Sequence, residues 1–458
     1  MVYDLIVIGG GPAGYRAAEL ASEKGLSVLL IEERRVGGTC LNEGCIPTKA
    51  LLYSAKLFDG AAHGEKYGVT AEGLSFDHGK AVKRKDKVVK TLVLGVQSAL
   101  RNAGVTLVNA RAVVKAKTNE SFAVEAGGET YEGKRLLVAA GSVTAVPPIP
   151  GLKEGLENGF VVTNREILAL SEPPKRLVVI GGGVIGLELA SYFCSVGSEV
   201  TVIEMLDHIA GSNDADLVSI LQKNYEKKGV RFLLSAKVTS VENGCIHYEK
   251  DGAAATAEAD CALLSIGRRA AAAGLGLETI GVNVERGAVP TNEYMETNVP
   301  DVYAAGDVNG KSLLAHTAYR EAEVAVNRML GVGDEMRYDA IPAVIYTNPE
   351  LGTVGETAAT AAEKGLDVKV TQLPMRFSGR YLAENEGGDG VVKLVTDGKT
   401  GRVLGCQMLS NYASEIIVTV GLAIEKGMTA EELTKTVFPH PTVGEALREA
   451  AFQAVKGE

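Results

Sequence analysis

The feature that most constrains this chain is a strand, glycine turn, helix and second strand that occur twice in the same order. The first copy spans residues 5–32 and the second spans residues 177–204. In each copy an acidic residue, Glu32 or Glu204, stands 18 residues after the last glycine of the turn (32 − 14 and 204 − 186). The glycines of the two G-x-G-x-x-G turns are Gly9, Gly11 and Gly14 in the first copy and Gly181, Gly183 and Gly186 in the second.

Each part of this unit has a physical reason. The first glycine permits a tight turn, the second lets the backbone approach a pyrophosphate, and the third lets the helix pack closely on the strand. The pyrophosphate then lies at the helix N-terminus, where free N–H groups and the helix dipole favour anions. A carboxylate at the end of the second strand binds ribose hydroxyls. One such turn would be weak support, but two complete copies predict two dinucleotide sites.

Bulk properties exclude several other classes of protein. A chain of 458 residues is long enough for several domains, because one core rarely exceeds about 250–300 residues. Its net charge of −10 and pI near 5.4 argue against nucleic acid and anionic membranes as partners. No apolar run approaches the ~20 residues of a membrane helix. The first residues lack the pattern of a signal peptide, so we expect a cytoplasmic protein.

Two of the six cysteines stand apart from the rest. Cys40 and Cys45 lie five residues apart in a glycine-rich turn, whereas the other four are isolated and are expected to be inert thiols. A close pair is either a metal clip or a catalytic dithiol, and no second Cys or His pair lies near it at zinc spacing. Two simply buried cysteines remain an alternative. Pro47 suits the first turn of a helix, so Cys45 would lie at a helix N-terminus that favours a thiolate, with Lys49 four residues on.

The segment from Gly38 to Lys49, which reads GTCLNEGCIPTK, resembles the redox motif of the pyridine nucleotide–disulfide oxidoreductases. The similarity extends from the first glycine turn to the C-terminal His-Pro segment. It implies an α/β protein with two Rossmann-like dinucleotide-binding domains and a C-terminal α+β dimerisation domain. The expected bounds are 1–145 for the FAD domain, 146–272 for the NAD domain, 273–336 for a central domain completing the FAD site, and 337–458 for the dimerisation domain.

The resemblance also implies which residues contact each cofactor. Val302–Asp307 is similar to a second FAD fingerprint in which Asp307 binds the ribityl chain. The helix after Leu314 would direct its positive end at the flavin, either through its backbone alone or with His316. The expected FAD residues are Gly9, Gly11, Pro12, Ala13, Gly14, Glu32, Gly38, Thr39, Lys49, Ala112, Gly141, Ser142, Asp307, Leu314, Ala315 and His316. The expected NAD residues are Gly181, Gly183, Val184, Ile185, Gly186, Glu204, Val238 and Gly267.

Further expected roles concern proton and electron transfer. Lys49 and Glu188 resemble the family's ion pair beside the flavin, although either could be an ordinary surface charge. His440, between two prolines, can take and return a proton near neutral pH, and Glu445 would fix its tautomer. Thr442 and Glu445 also fit a helix capping box. In the family such a histidine serves the cysteine pair of the other subunit, which implies a catalytic homodimer.

The implied reaction is oxidation of protein-bound dihydrolipoyl groups through Cys40, Cys45 and FAD, with hydride passed to NAD⁺. The partner would be a lipoyl-bearing protein of a 2-oxoacid dehydrogenase or glycine cleavage complex. A glutathione-type reductase should carry basic residues after Glu204, and a mercuric reductase should carry a C-terminal cysteine pair; the sequence has neither. A role mainly as a docking subunit stays open. The chain departs from the family pattern at Ala140 and at 270–271, which puts only local assignments in doubt.

Overall fold

A computed structural model describes residues 1–118 and 120–457. The first part of the chain contains β1 (Val2–Tyr3), β2 (Leu5–Ile8), α1 (Pro12–Glu23), β3 (Val28–Glu32), α2 (Gly38–Glu43), α3 (Cys45–Ala62), α4 (His78–Asn102), β4 (Thr106–Asn109), β5 (Ala112–Lys117), β6 (Phe122–Ala126), β7 (Glu129–Gly133), β8 (Leu136–Val138) and β9 (Ser142–Thr144).

The middle part contains α5 (Leu152–Asn158), β10 (Val161–Val162), α6 (Asn164–Ile167), β11 (Arg176–Ile180), α7 (Val184–Ser195), β12 (Glu199–Ile203), α8 (Ala215–Lys227), β13 (Arg231–Leu233), β14 (Ala236–Glu242), β15 (Cys245–Lys250), β16 (Ala253–Glu258), β17 (Cys261–Leu264), β18 (Arg268–Ala270), β19 (Val302–Ala304) and α9 (Ala315–Met329). The last part contains β20 (Ala343–Ile345), β21 (Glu350–Gly355), α10 (Ala358–Glu363), β22 (Val368–Pro374), α11 (Gly379–Glu384), β23 (Val391–Asp397), β24 (Val403–Ser410), α12 (Ala413–Glu425), α13 (Ala430–Thr434) and α14 (Glu445–Lys456).

The two repeated units form two parallel sheets of the same design. The first has the strand order β19-β8-β2-β3-β4 and the second β10-β17-β11-β12-β13. In both, the strand before the glycine turn pairs in parallel with the strand that ends at the acidic residue. Alternate residues of β2 enter different apolar clusters: Leu5 and Val7 lie on one side of the sheet, Ile6 and Ile8 on the other. Burial on both faces explains why these strands are continuous apolar runs.

Residues beyond the second unit return to the first sheet. Strand β19 pairs with β8 at the edge of that sheet, and α9 packs against α1. The strand and helix that carry the second expected FAD fingerprint therefore lie beside the first glycine turn. The proposed four-part division of the chain stays a prediction.

The C-terminal part is a different architecture. Its sheet has the order β20-β21-β24-β23-β22 and is antiparallel throughout. Helix α12 packs on strands β21 and β24 of this sheet, and α14 packs on β22 and β23. Helix α12 leaves Val418 and Leu422 61% and 57% exposed in the single chain. Large apolar side chains exposed in this way are typical of a surface that binds another protein.

One local expectation was wrong. The two cysteines do not share a glycine turn, because Cys40 lies inside the short helix α2 and Cys45 begins α3. The Asn42 side-chain amide donates to the carbonyls of Val36 and Gly38, which fixes the start of α2. Gly44 then breaks the helix with φ −141° and ψ −109°, and the chain turns so that the two thiols face each other.

Candidate active site

Within each glycine turn, the three glycines differ in how much space a side chain would have. Gly9 and Gly181 both have φ +104°, a left-handed conformation that only glycine adopts at little cost. A Cβ at Gly14 or Gly186 would lie 1.8 or 2.3 Å from the carbonyl oxygen of the turn's first glycine. These positions allow the turn and the close helix contact.

The middle glycine of each turn faces open space instead. A Cβ at Gly183 would meet nothing within 4 Å, and one at Gly11 would meet only the Gly38 Cα, at 3.8 Å. Each of these residues is the N-cap of the helix that follows, α1 or α7. An open backbone surface over a helix N-terminus fits a pyrophosphate group. The residues present therefore fit a dinucleotide at both turns.

Glu32 and Glu204 hold equivalent positions beside these turns. The Gly10 amide donates to Glu32 Oε2 at 2.6 Å, and the Gly182 amide donates to Glu204 Oε2 at 2.7 Å. The other carboxylate oxygen accepts from a second backbone amide, that of Arg34 or Leu206. Each carboxylate is thus fixed at the edge of its turn, with lone pairs left for ribose hydroxyls.

The cysteine pair lies where α2 ends and α3 begins, with Cys40 in α2 and Cys45 at the first position of α3. The Cys40 and Cys45 Sγ atoms are 2.6 Å apart, and Cys45 is the more exposed of the two. A hydrogen bond from the Cys40 thiol, together with the Lys49 ammonium, lowers the pKa of Cys45 to about 7. The same hydrogen bond and burial raise the pKa of Cys40 far above its usual range. When the pair is reduced, Cys45 is therefore the thiol that ionises first, and Cys40 keeps its proton.

Lys49 and Glu188 form an ion pair that joins α3 to α7. The Lys49 Nζ atom lies 2.9 and 2.7 Å from the two Glu188 carboxylate oxygens. The Tyr346 amide donates to the same carboxylate at 2.9 Å, and Lys49 lies 4.3 Å from the centre of the Tyr346 ring. Glu188 is buried, so this is more than a surface pair. It connects the cysteine helix to the second nucleotide unit.

Ser142 and Asp307 lie together just beyond the ends of β8 and β19, the paired strands of the first sheet. The Ser142 hydroxyl donates to Asp307 and accepts from Arg268 Nε at 2.7 Å. Arg268 also donates to the Ser142 carbonyl and, at 3.5 Å, to the Thr39 hydroxyl. Burial lowers the pKa of Arg268, and the Asp307 carboxylate opposes that shift. Arg268 was not expected from the sequence to take part in this contact.

Glu43 is a second site residue that the sequence did not reveal. It ends α2, two residues before Cys45, and its buried carboxylate receives bidentate hydrogen bonds from Arg34 and Arg165. Burial opposes ionisation, but these two guanidinium groups hold the pKa of Glu43 below its usual value. The Asn164 amide donates to the Glu43 carbonyl at 2.6 Å. Glu43 therefore ties the cysteine segment to the loop after β3 and to α6.

The start of α9 is the expected flavin-facing helix end. The helix begins at Ala315, with Leu314 as its N-cap, so the predicted helix start is confirmed. His316 is exposed, and its Nε2 atom lies 2.8 Å from the Pro342 carbonyl oxygen. One turn further on, Tyr319 and Tyr15 of α1 hydrogen-bond through their hydroxyls, a pair that the sequence did not suggest. Tyr15 packs in the apolar cluster that contains Leu41.

His440 and Glu445 meet as expected from the sequence. The His440 Nδ1 atom lies 2.8 Å from Glu445 Oε1, and the histidine side chain is 80% exposed. A hydrogen bond from the Thr442 amide, followed by the contact with His440, lowers the pKa of Glu445. Within the described residues, the single chain forms no hydrogen bond between His440 and either active-site cysteine.

The capping box at this helix is only half formed. Glu445 accepts from the Thr442 amide at 2.8 Å, but the Thr442 hydroxyl donates to the Pro439 carbonyl and caps no helix amide. Gly444 is the N-cap of α14. The expected reciprocal box is therefore wrong, because the helix begins two residues later than the box requires. Glu445 is left free to bind His440 with its other oxygen.

For three of the expected cofactor residues, the structure gives a position in the fold but no contact that identifies a ligand. Ala112 begins β5 and is buried, and Val238 lies buried in β14. Gly267 has φ +117°, and a Cβ there would meet nothing within 4 Å. Their roles in cofactor binding stay predictions. Ala140 packs at the edge of the first unit's core.

Two other kinds of feature are absent from residues 1–118 and 120–457. No group of three or more His, Cys, Asp or Glu side chains is arranged to hold a metal ion. No helix in this part of the chain is both long and apolar enough to cross a bilayer.

Comparison with known proteins agrees with this geometry. Residues 3–322 match the family model described as pyridine nucleotide-disulphide oxidoreductase, and residues 341–451 match the dimerisation domain of the same family. Dihydrolipoyl dehydrogenase of Mycoplasma pneumoniae is 36% identical over 99% of both chains. That of Staphylococcus aureus is 39% identical over 99% of this chain and 96% of its own.

Solved structures are similar over the same length. LpdA from Mycobacterium tuberculosis has a TM-score of 0.90 at 27% identity, covering 98% of this chain and 99% of its own. The HOCl-induced flavoprotein disulfide reductase RclA from Escherichia coli, solved as a Cu(II) complex, has a TM-score of 0.86 at 29% identity, covering 99% of each. The expected fold class, oxidoreductase activity and cofactors, FAD and NAD, are confirmed. The chain belongs to the pyridine nucleotide–disulphide oxidoreductases.

Proposed function

We propose that this chain is a dihydrolipoyl dehydrogenase, which oxidises dihydrolipoyl groups and reduces NAD⁺. The observation that carries the proposal is the cysteine pair between α2 and α3, with α3 joined through Lys49 and Glu188 to the second nucleotide unit. Full-length similarity to relatives of that name supports the same activity. FAD, when bound, supplies the two-electron link between the dithiol and NAD⁺.

The cysteines exchange with the substrate in two steps. A substrate thiolate attacks Cys40 Sγ of the oxidised pair, which breaks the Cys40–Cys45 bond and releases Cys45 as a thiolate. The second substrate thiol loses its proton and attacks the substrate sulfur of the mixed disulfide. Lipoyl disulfide leaves, and Cys40 takes up a proton. The two electrons now reside on the pair, and the opposed pKa shifts of Cys40 and Cys45 fit this division of roles.

The proton transfers require a base near Cys40. His440 is held in one tautomer by Glu445, yet it lies exposed on the C-terminal part of the single chain. We propose that the partner subunit's His440 serves this chain's Cys40 in a homodimer. The match to a dimerisation domain and the exposed apolar residues of α12 support this assembly.

The second nucleotide unit should prefer NAD⁺ to NADP⁺. Glu204 lies where the ribose hydroxyls would bind, and its negative charge would repel a 2′-phosphate. No arginine or lysine occurs in the four residues that follow it. The remaining expected cofactor residues, the four-part domain division and a cytoplasmic location stay predictions of the sequence. The partner we propose is a lipoyl-bearing protein of a 2-oxoacid dehydrogenase or glycine cleavage complex.

A steady-state assay tests the main proposal. Purified protein with bound flavin, given dihydrolipoamide and NAD⁺, should form NADH, and the Cys45→Ser protein should not. A colourless protein, or one that uses only NADPH and glutathione disulfide, would contradict the proposal. If Cys45→Ser protein still supported the function of a multienzyme complex, the docking role would be favoured instead.

A further inference from the structure

Helix α4 carries a charge opposite to that of the rest of the molecule. It contains seven Lys or Arg residues and a single Asp, a net charge of +6, whereas the whole chain carries −10 and the remainder therefore −16 (−10 − 6). Five of these cations are exposed on one side of the helix: Lys80, Lys83, Arg84, Lys87 and Lys90. At 1.5 Å per residue they span about 15 Å along the axis. We call this set the basic stripe.

Most of the basic stripe has no acidic partner within the described residues. Only Lys80 forms an ion pair, with Asp77, and Asp86 is paired with Lys85 outside the stripe. Arg84 is held differently, because its Nη1 atom donates to the Ala50 carbonyl at 3.0 Å. Like charges placed along one helix face repel each other, so the stripe weakens the isolated helix. This repulsion indicates that the five cations serve a purpose other than stabilising the fold.

The basic stripe lies close to the cysteine pair. Arg84 binds α3 at Ala50, five residues from Cys45, which is about 7.5 Å along the helix axis. Beside the stripe, α1 and α4 enclose a groove of about 290 Å³, lined mainly by apolar groups that include Tyr15, Leu92 and Val96. Tyr15 packs in the same apolar cluster as Leu41 and Ile46, the sequence neighbours of Cys40 and Cys45.

We propose that the basic stripe docks an acidic surface of the carrier protein that brings the dithiol substrate to Cys40. This rests on the proposed function, in which the substrate arrives attached to a protein. An acidic carrier is repelled by the net charge of −16 on the rest of the molecule and attracted by the stripe, so the field orients it towards the cysteine pair.

Two other partners fit the stripe less well. A membrane-binding helix inserts an apolar face into lipid, but Val82, Val93 and Val96 of α4 pack against the protein's own apolar clusters. Nucleic acid, whose charge is spread along its length, would meet the −16 of the remaining surface. A compact acidic protein domain meets neither objection.

The test compares two double charge reversals. K83E/K87E changes two stripe residues, and K223E/K227E makes the same change, also four residues apart, at exposed positions of α8. The probes are free dihydrolipoamide and a purified acidic lipoyl domain in its dihydrolipoyl form. At low ionic strength, K83E/K87E should lose about tenfold in kcat/KM for the domain and nothing for free dihydrolipoamide. The control variant should match the wild type with both.

Salt provides a second measurement. The wild-type kcat/KM for the lipoyl domain should fall as ionic strength rises, because screening becomes effective beyond about 10 Å at 0.1 M; that of K83E/K87E should not fall. Equal loss with both substrates, no loss with the domain, equal loss in the control variant, or a K83E/K87E protein that has become monomeric would each overturn the proposal. If the wild type made no NADH from free dihydrolipoamide, the proposed function itself would fail.

Discussion

Replacing Lys49 with Met should raise the pKa of Cys45. The pKa of this thiol is lowered to about 7 first by the Cys40 hydrogen bond and then by Lys49, while Glu188 acts in the opposite direction. An opposite charge within ~4–6 Å shifts a pKa by about 1–3 units. Because the Lys49 charge is partly offset by Glu188, we expect its effect on Cys45 to be at the low end of this range. We therefore expect a rise of about one unit, or 1.4 kcal/mol.

The sign follows from which form carries charge. The thiolate is lost as pH falls through the pKa, so a rise from about 7 to about 8 reduces the thiolate fraction at pH 7 from one half to about one tenth. Alkylation of Cys45 at pH 7 should slow about fivefold. Glu188→Gln should lower the pKa, which at pH 7 can increase the rate by no more than about twofold.

The assay is the rate of iodoacetamide alkylation against pH, followed by mass spectrometry of the Cys45 peptide. It is done in a Cys40→Ser background, where the serine hydroxyl still donates to Cys45. Lys56→Met is the control, because Lys56 is exposed on the same helix seven residues further on. An unchanged midpoint in Lys49→Met, or an upward shift in Glu188→Gln, would refute the reasoning.

Four further predictions concern the base, the glycine turn, the nucleotide preference and the dimer. His440→Gln should reduce turnover of dihydrolipoamide by about 10²–10⁴-fold while flavin reduction by NADH, measured by absorbance, stays close to normal; loss of both would contradict the assignment. Gly183→Ala should leave the melting temperature unchanged and raise the KM for NAD⁺, whereas Gly186→Ala should destabilise the protein, since its Cβ would lie 2.3 Å from the Gly181 oxygen; equal melting curves would be evidence against this. Glu204→Gln should increase kcat/KM for NADP⁺ relative to NAD⁺, and an unchanged ratio would exclude charge repulsion as its basis. Leu422→Glu should yield monomers in sedimentation that reduce their flavin with NADH but do not oxidise dihydrolipoamide; a stable dimer would rule out α12 as the interface.

The sequence predicted local patterns better than contacts between distant segments. In each nucleotide unit, the strands, the glycine turn and the acidic residue lie within about 30 residues of sequence. Spacing alone therefore predicts their arrangement. Glu43 is an example of a residue whose contacts could not be predicted from the sequence. Its partners Arg34 and Arg165 are 9 and 122 positions away, and no periodicity connects charges that meet only after two units pack together. The same holds for Tyr15 and Tyr319, and for Arg268 at Ser142. The helix containing Cys40 was missed because its glycine-rich sequence favours a turn and is held helical by Asn42.

The paired amide contacts of Glu32 and Glu204 have a consequence for the energetics of cofactor binding. Both oxygens of each carboxylate already accept from backbone amides, so the side chains occupy fixed rotamers before a nucleotide arrives. Ordering a flexible side chain at an interface costs about 0.5–1.5 kcal/mol, and these two residues avoid that entropy loss. Each ribose therefore meets an acceptor that is already in place, and affinity at both sites depends on contacts rather than on reorganisation.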